Sequence, residues 1–322
     1  MLLPQVSLGT ANIAGMYSTV SREQADEVLQ AAWNAGIRYF DTAPHYGHGL
    51  SERRIGDFLR EKNPDEWILS TKVGRILKPS VEIHSEISGF KNPLSFDQHF
   101  DFSYDGIMRS VEDSFQRLGL NKIDVLFVHD LGDIGHGSNK QIYYDQFEDG
   151  GHKALSELKS QGVIKAMGLG VNQTDICEHL LGKVEIDLIL LAGRYTLLEQ
   201  EQAFPLFQKC REYDAKLVIG GVFNSGILAT GPGPNAHFDY EVAPKQVQQR
   251  VAAIMEICKK HEITLPAAAL NFPKKHELVA SILIGTAKAS SLTRNMDMLE
   301  QRIPDALWDD LTKAGLIVNE DV

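Results

Sequence analysis

The chain has 322 residues, 43% of them hydrophobic and 8% aromatic, with 32 basic against 43 acidic side chains and a formal net charge of −11. A surface that acidic argues against nucleic acid and anionic membrane as partners, since both carry negative charge. Three widely spaced cysteines (Cys177, Cys210, Cys258) without a C-x-x-C pair, a start lacking an export signal and the absence of an apolar run near the roughly 20 residues of a bilayer span lead us to expect a cytoplasmic protein.

Short apolar runs alternate with helix-length amphipathic segments throughout. The expected strands are Val6–Gly9, Tyr39–Asp41, Ile68–Lys72, Val125–His129, Ala166–Gly170, Leu188–Leu191, Leu217–Gly220 and Ile282–Ile284. Each reads as a continuous apolar run, the pattern of a parallel strand buried on both faces. Between the first two, Ser21 followed by Gln24 is a capping box that opens a helix to about Ala35. Near the end, Thr264 followed by Leu265-Pro266 opens another, with proline in the first turn where its missing N–H costs nothing. Eight strand–helix units predict an α/β fold, a (β/α)8 TIM barrel forming one domain over residues 1–322. An open doubly wound sheet is the alternative, but no G-x-G-x-x-G follows the first strand. Long connections over residues 74–102, 131–150 and 222–245 follow strands three, four and seven. Their aromatic content (Phe90, Phe96, Phe100, Phe102, Tyr143, Tyr144, Phe147) predicts packed lids rather than disordered insertions.

In such barrels chemistry sits at the C-terminal ends of the strands. Asp41, Lys72 and His129 end strands two, three and four, and Tyr46 follows five residues after Asp41 on the same rim. A phenol with an ordinary pKa of about 10 is a poor acid or base at neutral pH. A neighbouring lysine is expected to draw it down, an aspartate to keep that lysine charged, and an imidazole to orient a substrate oxygen. His45 and His48, or His129 and His136, are the pairs that suggest a metal, but no ligand-spacing signature accompanies them and none is expected.

YFDTAPHYG, WILSTKVGR and IDVLFVHD together resemble the tetrad of the aldo-keto reductases, and the likeness covers nearly the whole chain. The resemblance implies catalysis by Asp41, Tyr46, Lys72 and His129 and an extended NAD or NADP across the barrel mouth. It implies cofactor contacts at Gly9, Thr10, Ala11 and Asp41, at Asn172 in LGVNQ, at Phe223, Ser225, Gly226 and Leu228, and at Gly285, Thr286, Lys288, Arg294 and Asn295. Ala192, Gly220 and Ser291 stand where many members carry glutamine, a stacking tyrosine and a 2′-phosphate-binding arginine, so NAD is favoured over NADP. LGVNQ, LLAGRYTLLEQ and GGVFNSGILATG look like the branch of aldose 1-dehydrogenases and pyridoxal 4-dehydrogenases. That branch implies oxidation of an anomeric carbon (of an L-fucose, L-galactose or D-arabinose type aldose) to a lactone. Pyridoxal oxidation, reduction of small aldehydes or ketones, and a cofactor-binding regulatory subunit are the alternatives. Arg75, Asp130 and Arg194 are the candidate substrate-binding groups beside Tyr46 and His129, in a monomer or homodimer.

Overall fold

A strand buried on both faces must carry apolar residues pointing both ways, and the apolar runs of this chain supply them. The computed structural model describes residues 2–239, 241–318 and 320. The runs form β1 (Val6–Gly9), β2 (Tyr39–Asp41), β3 (Ile68–Val73), β4 (Val125–His129), β5 (Ala166–Val171), β6 (Leu188–Ala192), β7 (Lys216–Gly220) and β8 (Val279–Gly285). All pair parallel in chain order, and β8 pairs back onto β1 from Val6↔Ile282 to Gly9↔Gly285. That pairing closes a (β/α)8 barrel and removes the open-sheet alternative. The main difference from the expected strands is at β8, which begins three residues earlier.

The period of two along each strand decides what faces inward. Tyr39, Val125, Phe127, Leu188, Leu190 and Val218 fill the interior, whereas Phe40, Leu69, Leu126 and Val128 belong to the larger cluster under the helices. Asp41 shares the parity of Tyr39, and His129 that of Val125 and Phe127. Lys72 shares the parity of Ser70, which pairs with Asp41 across β2 and β3. One rule of alternation therefore turns all three strand-end side chains into the barrel mouth. Gly170, paired with His129, keeps room for one of them: a Cβ there would stand 3.3 Å from Lys72 Cε.

The outer helices begin as expected. Helix α1 (Arg22–Asn34) has both halves of the Ser21/Gln24 capping box, and Thr264 accepts from Ala267 N–H at the start of Leu265–Asn271. The connection after β3 forms a hairpin of Arg75–Pro79 with Phe96–Phe100, plus a short pair at Glu86–Ile87 and Phe90–Lys91. The connection after β4 is mostly helical, and Phe90, Phe102, Tyr144 and Phe147 are buried within these two segments. Among the described residues no helix is long and apolar enough to cross a membrane.

Helix α2 (Leu50–Leu59), which follows the Tyr46 turn, touches α3 (Tyr104–Leu118) backbone to backbone at Gly56. A Cβ there would lie 1.9 Å from the Leu118 carbonyl oxygen. Gly56→Ala should therefore lower the unfolding free energy by about 1–3 kcal/mol, as overpacked sites do. Gly233→Ala, where a Cβ meets open space, should stay within about 0.5 kcal/mol. Denaturant midpoints of the two variants check this.

Candidate active site

Lys72 is the hub. Its ammonium donates to Asp41 Oδ2 at 2.6 Å and to the Thr42 carbonyl at 2.9 Å. An ammonium has three donors, and its charge also acts on the neighbouring Tyr46 phenol. Asp41 has its other oxygen satisfied by the Ser70 hydroxyl at 2.7 Å. Asp41 and Lys72 are buried, and the ammonium lies 4.7 Å from the Tyr46 ring centre.

Tyr46 is held by the turn that carries it. Gly47, His48 and Gly49 all have positive φ, which folds the chain tightly from β2 into α2. Ser51, on the first turn of α2, bonds Thr10 Oγ1 at 2.6 Å and accepts from Thr42 Oγ1 at 2.9 Å. Glu52 accepts from Thr71 Oγ1 at 2.8 Å and from Arg117 at 2.5 Å, tying α2 to β3 and α3.

Burial opposes the charged form of every group here. It pushes the Asp41 carboxyl up, while the Lys72 ammonium and the Ser70 hydroxyl pull it back. It also disfavours the Lys72 ammonium, but Asp41 and Tyr46 outweigh it and the lysine pKa ends raised. For Tyr46 burial wins: the phenol is pushed up to about 12, with Lys72 pulling in the opposite direction. The expected lowering by lysine is present, then, but smaller than the cost of burying a phenolate. Burial, then Arg75 and Lys72, hold the His129 imidazole well below its ordinary value, so it is neutral. The His129 and Tyr46 rings meet edge-on at 5.9 Å, and His129 Nε2 lies 3.5 Å from Asp130 Oδ2.

A cavity of about 760 Å³ opens over these groups, within the range of small-molecule sites. It runs from Asp41, Tyr46, Lys72 and His129 past Asn172 to Ser225 and Gly226. Gly9, Ala11, Phe223 and Gly285 of the expected cofactor residues also border it. Thr10 and Leu228 do not: both are buried, Thr10 donating to the Asp41 carbonyl at 2.8 Å and Leu228 packed in the outer core. Thr286, Lys288, Arg294 and Asn295 lie beyond the cavity wall, on the connection from β8 into α8 (Ala289–Glu300) and on that helix. Of the substrate candidates, Asp130 is on the wall. Arg75 sits behind it and pairs with its carboxylate. Arg194 is turned away, donating to Asn172 O and Asp239 Oδ1, each at 2.9 Å. The wall also includes Met16, Tyr17, Ser88 and Gly89, which no motif marked, and His45, which stands beside Tyr46 in the tetrad string.

The floor is shaped for a flat ring. A Cβ on Gly220 would project among Ala192, Leu190 and Leu283, each 3.7 Å away, and one on Gly9 would meet Leu283 Cγ at 3.3 Å. The small residues at 192 and 220 thus keep this apolar cleft open. Beyond it, Lys288 and Arg294 are exposed, and among the described residues their side chains have no ion-pair partner. An apolar slot leading to unpaired cations fits a nicotinamide dinucleotide, which Asn172 on the cavity wall and the two cations would help to hold. When bound, that cofactor supplies a hydride acceptor or donor.

A barrel with an acid–base group, a charged lysine and a dinucleotide-shaped groove at its C-terminal mouth defines an oxidoreductase. Residues 5–315 match the aldo/keto reductase family, and the chain belongs to it. It is therefore an oxidoreductase acting on CH–OH, in a family that uses NAD(P)H. It is 45% identical to pyridoxal 4-dehydrogenase from Microbacterium luteolum, over 97% of this chain and 94% of the relative. It is 38% identical to D-threo-aldose 1-dehydrogenase from a Pseudomonas species, over 98% and 95%. An aldo-keto reductase structure from Bacillus halodurans (holo form) shares the fold, with a TM-score of 0.73 at 22% identity over 97% and 92%.

Tyr46→Phe should keep cofactor binding and cut turnover by about 10²–10⁴-fold, the usual range for a lost general acid–base. Lys72→Met removes the group that most lowers the phenol pKa, so the rising limb of the oxidation pH profile should move to higher pH. Steady-state rates from pH 6 to 11 check both, and an unmoved profile would remove the electrostatic role from Lys72.

Proposed function

We propose that the protein is an NAD-linked dehydrogenase that oxidises the hemiacetal carbon of a small cyclic substrate to the lactone, with Tyr46 as general base. The carrying observation is the buried Asp41–Lys72–Tyr46 chain on the cavity floor. Lys72 stands beside the Tyr46 ring, and Tyr46 borders the cavity from which a substrate hydroxyl would approach. In oxidation Tyr46 takes the hydroxyl proton as hydride leaves the same carbon, and the Lys72 charge stabilises the phenolate character this requires. Neutral His129 orients the substrate oxygen without competing as an acid. Asp41 keeps Lys72 charged and aimed. The aldehyde-reductase alternative uses the same groups in reverse, with Tyr46 as the acid.

Between the two substrate classes, pyridoxal is placed ahead of an aldose, the reverse of the order suggested by the motif strings. Aromatic rings (Tyr17, His45, His129, Phe223) contribute to the cavity wall, which suits a flat pyridine. The relative with 45% identity carries the same name-level activity. The aldose reading keeps the support of the 38% relative and of the Asp130 carboxylate as a polyol acceptor. NAD is placed ahead of NADP because Ser291 replaces the arginine of 2′-phosphate-selective members.

Reduction of NAD and of NADP at 340 nm against pyridoxal, L-fucose, L-galactose and D-arabinose tests the reading. The expected outcome is NAD-dependent turnover of pyridoxal, with sugars slower. Turnover of a sugar alone would move the assignment to the aldose dehydrogenases. No oxidation of any of the four, with NADPH-dependent aldehyde reduction instead, would overturn the reading.

A further inference from the structure

The side chain at position 45 sits between the catalytic tyrosine and the lid, and its chemistry is settled by what stands behind it. His45 Nδ1 faces two donors: Gln98 Nε2 at 2.9 Å and Arg75 Nη1 at 3.3 Å. The Gln98 amide cannot be turned round, because its Oε1 accepts from the same Arg75 Nη1 at 3.0 Å and a guanidinium only donates. Gln98 Oε1 is also 3.0 Å from Nδ1, but a proton there would point at two donor groups. Two donors against one acceptor at Nδ1 lead us to assign it as the acceptor, so that a neutral ring carries its proton on Nε2. Neutrality follows from the surroundings: burial first, then the Arg75 cation, pull the imidazole down to about 3.

The ring borders the cavity, edge-on to His129 at 5.7 Å and to Phe90 at 5.3 Å, and 6.2 Å from Tyr46. Among the described residues Nε2 has no protein partner. Across the same wall stands Asp130, whose carboxylate is clamped by Arg75 Nη2. Asp130 has φ +50°, a left-handed conformation that directs the chain sharply at the end of β4. One guanidinium thus sets both a donor and an acceptor beside Tyr46: it locks the His45 tautomer with one nitrogen and holds Asp130 with the other.

We propose that His45 Nε2–H is a specificity-determining donor that binds a second oxygen lying one to three bonds from the carbon being oxidised, with Asp130 as the matching acceptor. The inference deepens the proposed function and rests on the same cavity. It defines the substrate class as alcohols or hemiacetals with a neighbouring oxygen: the phenolic oxygen or ring oxygen of a pyridoxal hemiacetal, or the 2-hydroxyl or ring oxygen of an aldose. An alcohol without that second oxygen leaves the buried donor unmatched, which is how polar sites reject analogues.

The test compares NADH-dependent reduction of salicylaldehyde, which carries the neighbouring oxygen, with that of benzaldehyde, which does not. In His45→Phe the ratio of their kcat/KM values should fall at least about 5-fold, the size of one hydrogen bond. The loss should lie in KM, with His45→Gln, which keeps an N–H donor, restoring much of it. Alongside, ¹⁵N NMR of the histidine side chains should show His45 protonated at Nε2, with that signal shifting when pyridoxal is added. A His45 protonated at Nδ1, or an unchanged ratio in His45→Phe, would overturn the proposal. An enzyme that oxidises neither pyridoxal nor sugars, yet shows the His45-dependent ratio, would retract the substrate assignment and support this one.

Discussion

The ion pair between Lys72 and Asp41 is the constraint around which the barrel mouth is organised. Two charges taken out of water cost several kcal/mol each unless geometry and further hydrogen bonds compensate. Here both aspartate oxygens are engaged, and the ammonium donates to Asp41 and to the Thr42 carbonyl. Removing either residue alone would strand a buried charge, at about 3–5 kcal/mol. Such a pair is a poor device for stability and a good one for catalysis. It holds a positive charge against a phenol inside an apolar barrel, where water cannot screen it.

The phenol pKa shows how the two effects balance. Burial raises it to about 12, and Lys72 works against that rise. Without the lysine, the site would exclude water at the cost of an unusable base. Without burial, the lysine would be screened and its influence small. A nicotinamide cofactor in the cavity would add to this electrostatic environment. In the proposed mechanism the four residues act as a single unit, in which the neutral His129 supplies direction rather than charge.

The second organising element is Arg75, at the foot of the β3 hairpin. It links Gln98 on the opposite hairpin strand, His45 on the Tyr46 turn and Asp130 after β4. A lid anchored this way cannot move without disturbing the substrate wall. The aromatic stacking of Phe100, Phe102, His136 and Tyr143 joins the hairpin to the helices after β4 in the same manner. The long connections are packed walls, as their aromatic content predicted, because each aromatic side chain finds apolar surface on its neighbour.

The barrel and the strand-end residues were legible in the sequence because they depend on local regularities. Eight apolar runs at strand length define the strands, and the period of two turns Asp41, Lys72 and His129 inward whatever else the chain does. Capping at Ser21 and Thr264 is equally local and appeared where expected. The substrate wall was not legible. Ser88 and Gly89 reach the cavity because the connection over residues 74–102 folds back over the rim to meet Met16 and Tyr17 on the connection after β1, and no short-range pattern encodes that return. Thr10 and Leu228 show the converse: strings near the cofactor groove placed them there, while packing turned their side chains into the interior. The sequence by itself thus determined the fold, the family and the turning of three strand-end side chains into the barrel mouth. The tertiary structure decided that Arg194 faces away while Asp130 faces in, and how far burial outweighs Lys72 at Tyr46. Those outcomes depend on contacts between residues distant in the chain, and on the dielectric that their packing creates.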